Sequence, residues 1–207
     1  MLLRKKRENF LRCNKTIVLQ HLVDEPRDDG GENMHVDVGL IRTAKIGDKE
    51  SFSALYEQVA PDLYKFALYT LGNAHDAQDA VSETFLEAYK GIGKLRDESS
   101  FKPWIMKIAS IRCKRKIGQY VKDRPNIDLD ELLENPSDSV SLEEELTQKS
   151  AVYEALTQLN PQERMIVILS VVQGYTTKEI SQILACPHGT VSSKLHRTLK
   201  KLRSMLE

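Results

Sequence analysis

Apolar side chains recur at three- and four-residue steps through most of this chain. Phe52, Leu55, Tyr56, Val59, Leu63, Phe66, Ala67 and Leu71 form one series. Ala77, Ala80, Val81, Thr84, Phe85 and Ala88 form a second, and Phe101, Trp104, Ile105, Ile108 and Ala109 a third. Such spacing places each series on one face of an α-helix, whereas a strand would alternate with period two. Breakers are scarce, with 10 Gly and 7 Pro in 207 residues. The expected fold class is therefore all-α.

Local signals divide the helices. From Val38 the pattern is helical up to Gly72-Asn73, and Pro61 predicts a kink within it. A second helix is expected at about 75–90, followed by a break at Gly91-Ile92-Gly93 and a polar loop to Ser100. A third covers about 101–121. Residues 123–142 hold Pro125, Pro136 and many acids, and read as a linker. Helical order resumes near Leu142, with Leu146, Val152, Leu156 and Leu159. Asn160-Pro161-Gln162-Glu163 supplies an N-cap, a first-position proline and a glutamate three after the cap. The run Met165 to Val172 follows, with Gly174 as a C-terminal cap. Thr176-Thr177-Lys178-Glu179 is a second capping box, opening a short helix with Ile180, Ile183 and Leu184. Ala185-Cys186-Pro187 turns the chain into a last helix at about 188–205. The expected organisation is a dispensable N-terminal extension (1–37), a helical domain (38–122), a flexible acidic linker (123–142) and a second small helical domain (143–207).

Composition closes several classes. No apolar run approaches the ~20 residues of a membrane helix, and the basic N-terminus lacks the apolar core of a secretion signal. Membrane insertion is not expected. Three scattered cysteines (Cys13, Cys113, Cys186) make no disulfide framework and suit a reducing, cytoplasmic setting. Phosphate-loop, nucleophile-elbow and His-Glu-x-x-His patterns are missing from the sequence, so neither an enzyme nor a cofactor is expected. Cys186-x-His188 has no second pair to complete a metal site.

The 30 basic and 30 acidic residues cancel, but they lie in blocks. Residues 73–89 carry four acids and no Lys or Arg, and residues 101–122 carry seven bases and no acid. Residues 123–145 carry nine acids and one base, and residues 187–203 carry five bases and no acid. Two acid-free basic blocks beside helical stripes suit phosphate binding. The last two helices have the lengths and turn of a helix-turn-helix. On the final helix Val191, Leu195, Leu199 and Leu202 fall within about an 80° arc at 100° per residue. Opposite lie Gly189, Thr190, Ser193, Arg197 and Lys200, small and polar first, then basic. Short side chains permit close approach to a duplex, Arg can pair with guanine, and Lys can hold phosphate.

These segments resemble a known family. Leu159-Asn160-Pro161-Gln162-Glu163-Arg164, Gly174-Tyr175-Thr176-Thr177-Lys178-Glu179-Ile180 and Pro187-His188-Gly189-Thr190-Val191-Ser192-Ser193-Lys194-Leu195-His196-Arg197 resemble the C-terminal domain of bacterial RNA polymerase sigma factors. The likeness is to the extracytoplasmic-function group. Asp76 to Leu86 resembles that family's polymerase-binding helix, and Ser100 to Lys116 its promoter-melting helix. Ser82 stands where Gln is usual, Ala185 where a turn Gly is commoner, and Ser192 and Lys194 where Lys and Arg are usual.

The resemblance implies core RNA polymerase, promoter DNA and an anti-sigma factor as partners. It implies that Asp76, Asp79, Glu83, Phe85 and Leu86 dock on the polymerase clamp. Lys107, Arg112, Lys114 and Arg115 would hold the strand at the minus-ten element, with Lys94, Arg96 and Ser99 in a base pocket. Thr190, Ser193, Lys194, His196 and Arg197 would read the minus-thirty-five element, and the linker would thread the RNA-exit path. A polymerase-independent helix-turn-helix regulator is the alternative; it would need neither the acidic helix nor the first basic block. Trp104, on the apolar stripe, is expected in the core.

Overall fold

The computed structural model describes residues 36–123 and 151–206. The N-terminal extension up to residue 35, and all but the first residue of the expected linker, lie outside the described residues, as do Leu142 and Leu146. Every regular element described is helical. We number them α1 (Val38–Lys45), α2 (Lys49–Leu71), α3 (Ala74–Gly91), α4 (Phe101–Asp123), α5 (Ala151–Thr157), α6 (Pro161–Val167), α7 (Thr177–Leu184) and α8 (His188–Leu206).

Short-range chemistry sets the ends of these helices. Gly47 has φ 98° and Asp48 accepts from the Ser51 amide, so one expected run is split into α1 and α2. A left-handed glycine ends one helix and an aspartate N-cap starts the next. Helix α2 runs on through Pro61 without interruption and stops at Gly72, whose φ is 73°. Asn73 then caps α3 through the Asp76 amide at 3.0 Å. Two 3₁₀ turns, Ile92–Lys94 and Glu98–Ser100, replace the expected polar loop.

In the first half, α2, α3 and α4 pack around Leu55, Val59, Leu63, Phe66, Ala77, Phe85, Phe101 and Ile105, all buried. In the second, α6, α7 and α8 surround Met165, Ile166, Ile168, Ile180, Val191 and Leu195. Asn160 caps α6 with Pro161 in its first turn. Past Val167 the helix widens into a π turn, Ile168–Val172, before Gly174 turns the chain at φ 69°. Thr176 and Glu179 exchange both bonds of a capping box at the start of α7. Ala185 then adopts φ 52°, ψ 48°, a left-handed conformation that costs an L-residue about 1–2 kcal/mol.

The two halves share one core. Helix α7 lies against α4, and α6 with its π turn lies against α2. Arg164, 1% exposed, donates to the carbonyls of Thr157 (2.6 Å) and Leu159 (3.1 Å) in its own half and of Thr70 (3.2 Å) in the other.

Candidate functional site

Three surfaces carry the residues singled out above. The first is the edge where α3 meets α4. Lys116 Nζ reaches Asp76 Oδ1 at 3.0 Å and Asp79 Oδ2 at 2.9 Å. One turn along, Arg112 reaches Glu87 at 3.1 Å and Glu83 at 3.5 Å. Tyr120 donates its hydroxyl to Asp76. The Lys116 hydrogen bond holds the Asp79 carboxyl below its ordinary range. Burial works against the Lys116 ammonium, but its bonds to Asp79 and Asp76 outweigh this and raise its pKa. Beside this ladder runs a groove of about 370 Å³, lined by Glu83, Leu86, Glu87 and Lys90 from α3 and Arg112, Arg115, Lys116 and Gln119 from α4.

Two expectations change here. Arg112 faces the acidic helix and is paired with Glu83 and Glu87, so it is not presented toward a strand on the far side of α4. Phe85 is 6% exposed and packs its ring on Phe52 and Tyr56, so it belongs to the core. Leu86, at 64% exposed, is the apolar group the surface offers. His75, Asp76 and Asp79 lie close enough to share a cation. The two carboxylates already bind the Lys116 ammonium, and we do not read the cluster as a metal centre.

The second surface is the outer face of α4 and the turns before it. Lys107, Lys114 and Arg115 are exposed there, as are Lys94 and Arg96. Ser99 donates to Asp97, which lowers the Asp97 pKa. Lys45 pins the turn to α1 through Glu98 at 2.6 Å. Ile111, 51% exposed, sits in the middle of this basic face; the sequence signal was a large apolar residue off the buried stripe. Trp104 packs beside Phe101 at 5.9 Å between ring centres, against the core as expected. Lys114 is not wholly open: its ammonium donates to the Leu184 carbonyl at 3.1 Å.

The third surface is α8. Val191, Leu195 and Leu202 are buried, and Leu199 packs against them, as the arc requires. Ser193, His196 and Arg197 are exposed and Thr190 is half-buried. Arg197 is steadied by the Ser193 carbonyl at 3.2 Å. Lys194 donates to Gln162, whose amide in turn reaches Cys186 Sγ at 3.3 Å. Gln162 was missed by sequence reasoning, which gave it only a place in a capping signature. His188 Nε2 lies 2.9 Å from Thr177 Oγ1, joining the two helices of the pair. Cys113 is sealed in the core, and burial pushes its thiol pKa up to about 12.

An acidic edge with an exposed leucine, a basic helix, and a second basic helix behind a short turn now stand in one fold. The Sigma-70 region 2 family model matches residues 55–121, and the Sigma-70, region 4 model matches residues 149–202. Together they define a sigma factor of the sigma-70 class. Among similar proteins is the ECF RNA polymerase sigma factor BldN of Streptomyces coelicolor, 28% identical over 173 residues. That match spans 81% of this chain and 64% of the relative. SigM of Mycobacterium tuberculosis is 25% identical, spanning 86% of this chain and 88% of its own. The chain belongs to the extracytoplasmic-function group of RNA polymerase sigma factors.

Two solved structures share the fold. CnrH, in complex with the cytosolic domain of CnrY, has a TM-score of 0.61 at 19% identity, covering 82% of this chain and 96% of that one. RpoE from Bartonella quintana, in complex with the anti-sigma factor NepR, has a TM-score of 0.57 at 23% identity, covering 76% and 97%.

Proposed function

We propose that this chain is a transcription initiation factor that binds core RNA polymerase and directs it to promoters with minus-ten and minus-thirty-five elements. The observation that carries this reading is the pairing of an acidic, leucine-bearing edge with two separate basic helices in one chain. An independent DNA binder has no use for that acidic edge, because it repels phosphate.

Asp76, Asp79, Glu83 and Leu86 dock on a basic surface of the polymerase. Their charge steers encounter, and Leu86 supplies apolar contact. Lys107, Lys114 and Arg115, with Lys94, Arg96 and Ser99 in the preceding turns, hold the opened minus-ten strand. Arg112 contributes by fixing the acidic helix. Thr190, Ser193, Lys194, His196 and Arg197 face the minus-thirty-five duplex, with Arg197 suited to guanine and the helix N-terminus to phosphate. Residues 38–122 and 143–207 form two functional units joined by an acidic linker. An anti-sigma factor is a further partner, as NepR is for the Bartonella RpoE. No helix among the described residues is long and apolar enough to cross a membrane, and we place the protein's work in the cytoplasm with the polymerase.

Run-off transcription with purified core polymerase and a promoter library tests the proposal. Chain-dependent initiation at a shared two-part motif is expected. Salt-sensitive duplex binding by the chain alone, with no such transcripts, would instead favour a polymerase-independent regulator.

A further inference from the structure

The geometry points to Gln162 as a positioning residue for minus-thirty-five recognition: its side-chain amide holds the Lys194 ammonium in place for a DNA phosphate. This inference rests on the functional reading just given.

Gln162 lies outside the helix pair, in the first turn of α6, 32 residues from Lys194 and 24 from Cys186. Its backbone is fixed. Asn160 caps the helix through the Glu163 amide at 3.0 Å, Pro161 is buried beside it, and Arg164 is sealed two residues on. The side-chain amide is used at both ends: Oε1 accepts from Lys194 Nζ, and Nε2 donates to Cys186 Sγ at 3.3 Å. Chemistry settles which way it points. An ammonium only donates, so the amide oxygen must face it, and the amide N–H is left for the sulfur, a weak acceptor. Cys186 is a firm anchor, because its own main-chain N–H donates to the Ser181 carbonyl at 3.0 Å. The contacts thus run from the turn of the helix pair, through α6, to the recognition face of α8.

The brace acts on a residue that gains from it. Lys is a point charge on a flexible stem, whereas Arg carries a pre-organised planar fork. Arg197 is steadied by the Ser193 carbonyl of its own helix at 3.2 Å, but Lys194 is steadied from another helix. Immobilising a loose lysine on binding lowers affinity about two- to tenfold, and a side chain held beforehand avoids that loss. The chemistry of the acceptor matters as well. Arg112 and Lys116 are held by carboxylates, which offset their charge. Gln162 is neutral, so it fixes the ammonium and leaves its charge whole. One ammonium proton is used, and the others remain for a phosphate.

The test uses the full chain, assembled with purified bacterial core polymerase, and a labelled duplex of the promoter that gives the strongest chain-dependent run-off. Binding is titrated at several salt concentrations for wild type, Gln162→Ala, Lys194→Ala and the double variant. Gln162→Ala is expected to weaken binding about two- to tenfold and to keep the salt slope, because no charge is removed. Lys194→Ala is expected to lower the slope by about one, and the double variant to bind no more weakly than Lys194→Ala alone. Gln162→Glu keeps an acceptor but offsets the charge, and is expected to lower the slope as Lys194→Ala does. An equal loss from Gln162→Ala with and without Lys194 would leave Gln162 a merely structural role and overturn the proposal. So would unchanged binding by Gln162→Ala. If no promoter supports chain-dependent transcription, the sigma-factor reading falls. The same proteins are then titrated without polymerase against a duplex pool of random sequence. Phosphate contacts carry no sequence information, so the coupling between the two residues still decides the brace there.

Discussion

Replacing Ala185 with glycine is expected to stabilise the protein. Ala185 is the non-glycine residue with positive φ among the described residues, at φ 52° and ψ 48°. A left-handed L-residue carries about 1–2 kcal/mol of strain. Glycine relieves that strain but adds about 0.4–1 kcal/mol of freedom to the unfolded chain. The side chain removed is exposed, so no packing is lost. The Cys186 amide keeps its 3.0 Å bond to the Ser181 carbonyl, because that bond is main-chain to main-chain. The net gain is therefore about 0.5–1 kcal/mol, or about 1–4 °C in melting temperature for a chain of this size. Thermal unfolding by circular dichroism reads it. Ala185→Val, β-branched at the same position, should shift the melt downward. An unchanged or lower melt for the glycine variant, with valine tolerated, would refute the strain argument.

Leu86→Asp should abolish co-elution with core polymerase and leave the helical spectrum intact, because the side chain is 64% exposed; wild-type retention would show that this edge is not the docking surface. Arg197→Ala should weaken binding to a minus-thirty-five duplex by about 1–3 kcal/mol and relax base preference, whereas Lys200→Ala should weaken all sequences alike and lower the salt slope by about one. Titrated binding at several salt concentrations separates these effects, and the same loss in both variants would sink the assignment of Arg197 to base readout. Because Asp79 has a lowered pKa, its stabilisation is present above its ordinary 3.8 and is lost as pH falls further. Lys116, with a raised pKa, contributes below its ordinary 10.5 and loses that contribution as pH rises beyond it. Melts of wild type and Asp79→Asn should therefore differ most near neutrality and converge in strong acid; a gap independent of pH would exclude the ion pair as its source.

What the sequence made legible is chemistry between near neighbours. The capping box at Thr176 and Glu179, the Asn160-Pro161 helix start and the α8 arc are each written within a few residues, so their spacing suffices to find them. At Ala185 it was the resemblance, not the spacing, that marked a place where a turn glycine is commoner, and the structure gives Ala185 the left-handed backbone such a glycine takes. The partner of a charge is a different matter. Arg112 and Glu87 are 25 residues apart, and Lys116 and Asp76 are 40 apart. Nothing in the spacing says which face of α4 turns toward α3, so Arg112 read as a strand contact. Phe85 misled for a related reason: on a helix flanked by α2 and α4 the buried arc is wide, and it takes in the residue beside exposed Leu86. The contact between the halves was least legible of all. Its acceptors include the carbonyls of Leu184 and Thr70, and every residue carries one.

The π turn at Ile168–Val172 can be viewed as an insertion kept by the fold. Its ladder steps back five residues, with the Gln173 amide on the Ile168 carbonyl at 3.0 Å, so it holds one residue more than an α-helix of the same rise. An α-helix takes about 3.6 residues for each turn, and here one turn accommodates an extra one. Deleting one position within Ile168–Val172 would leave a regular ladder over the same turn, with α6 before it and Gly174 after it held where they are. Chains with and without that extra residue could therefore share every helix and every surface residue. A change in the count of residues, with no change in their kind, would pass through this fold without moving its parts.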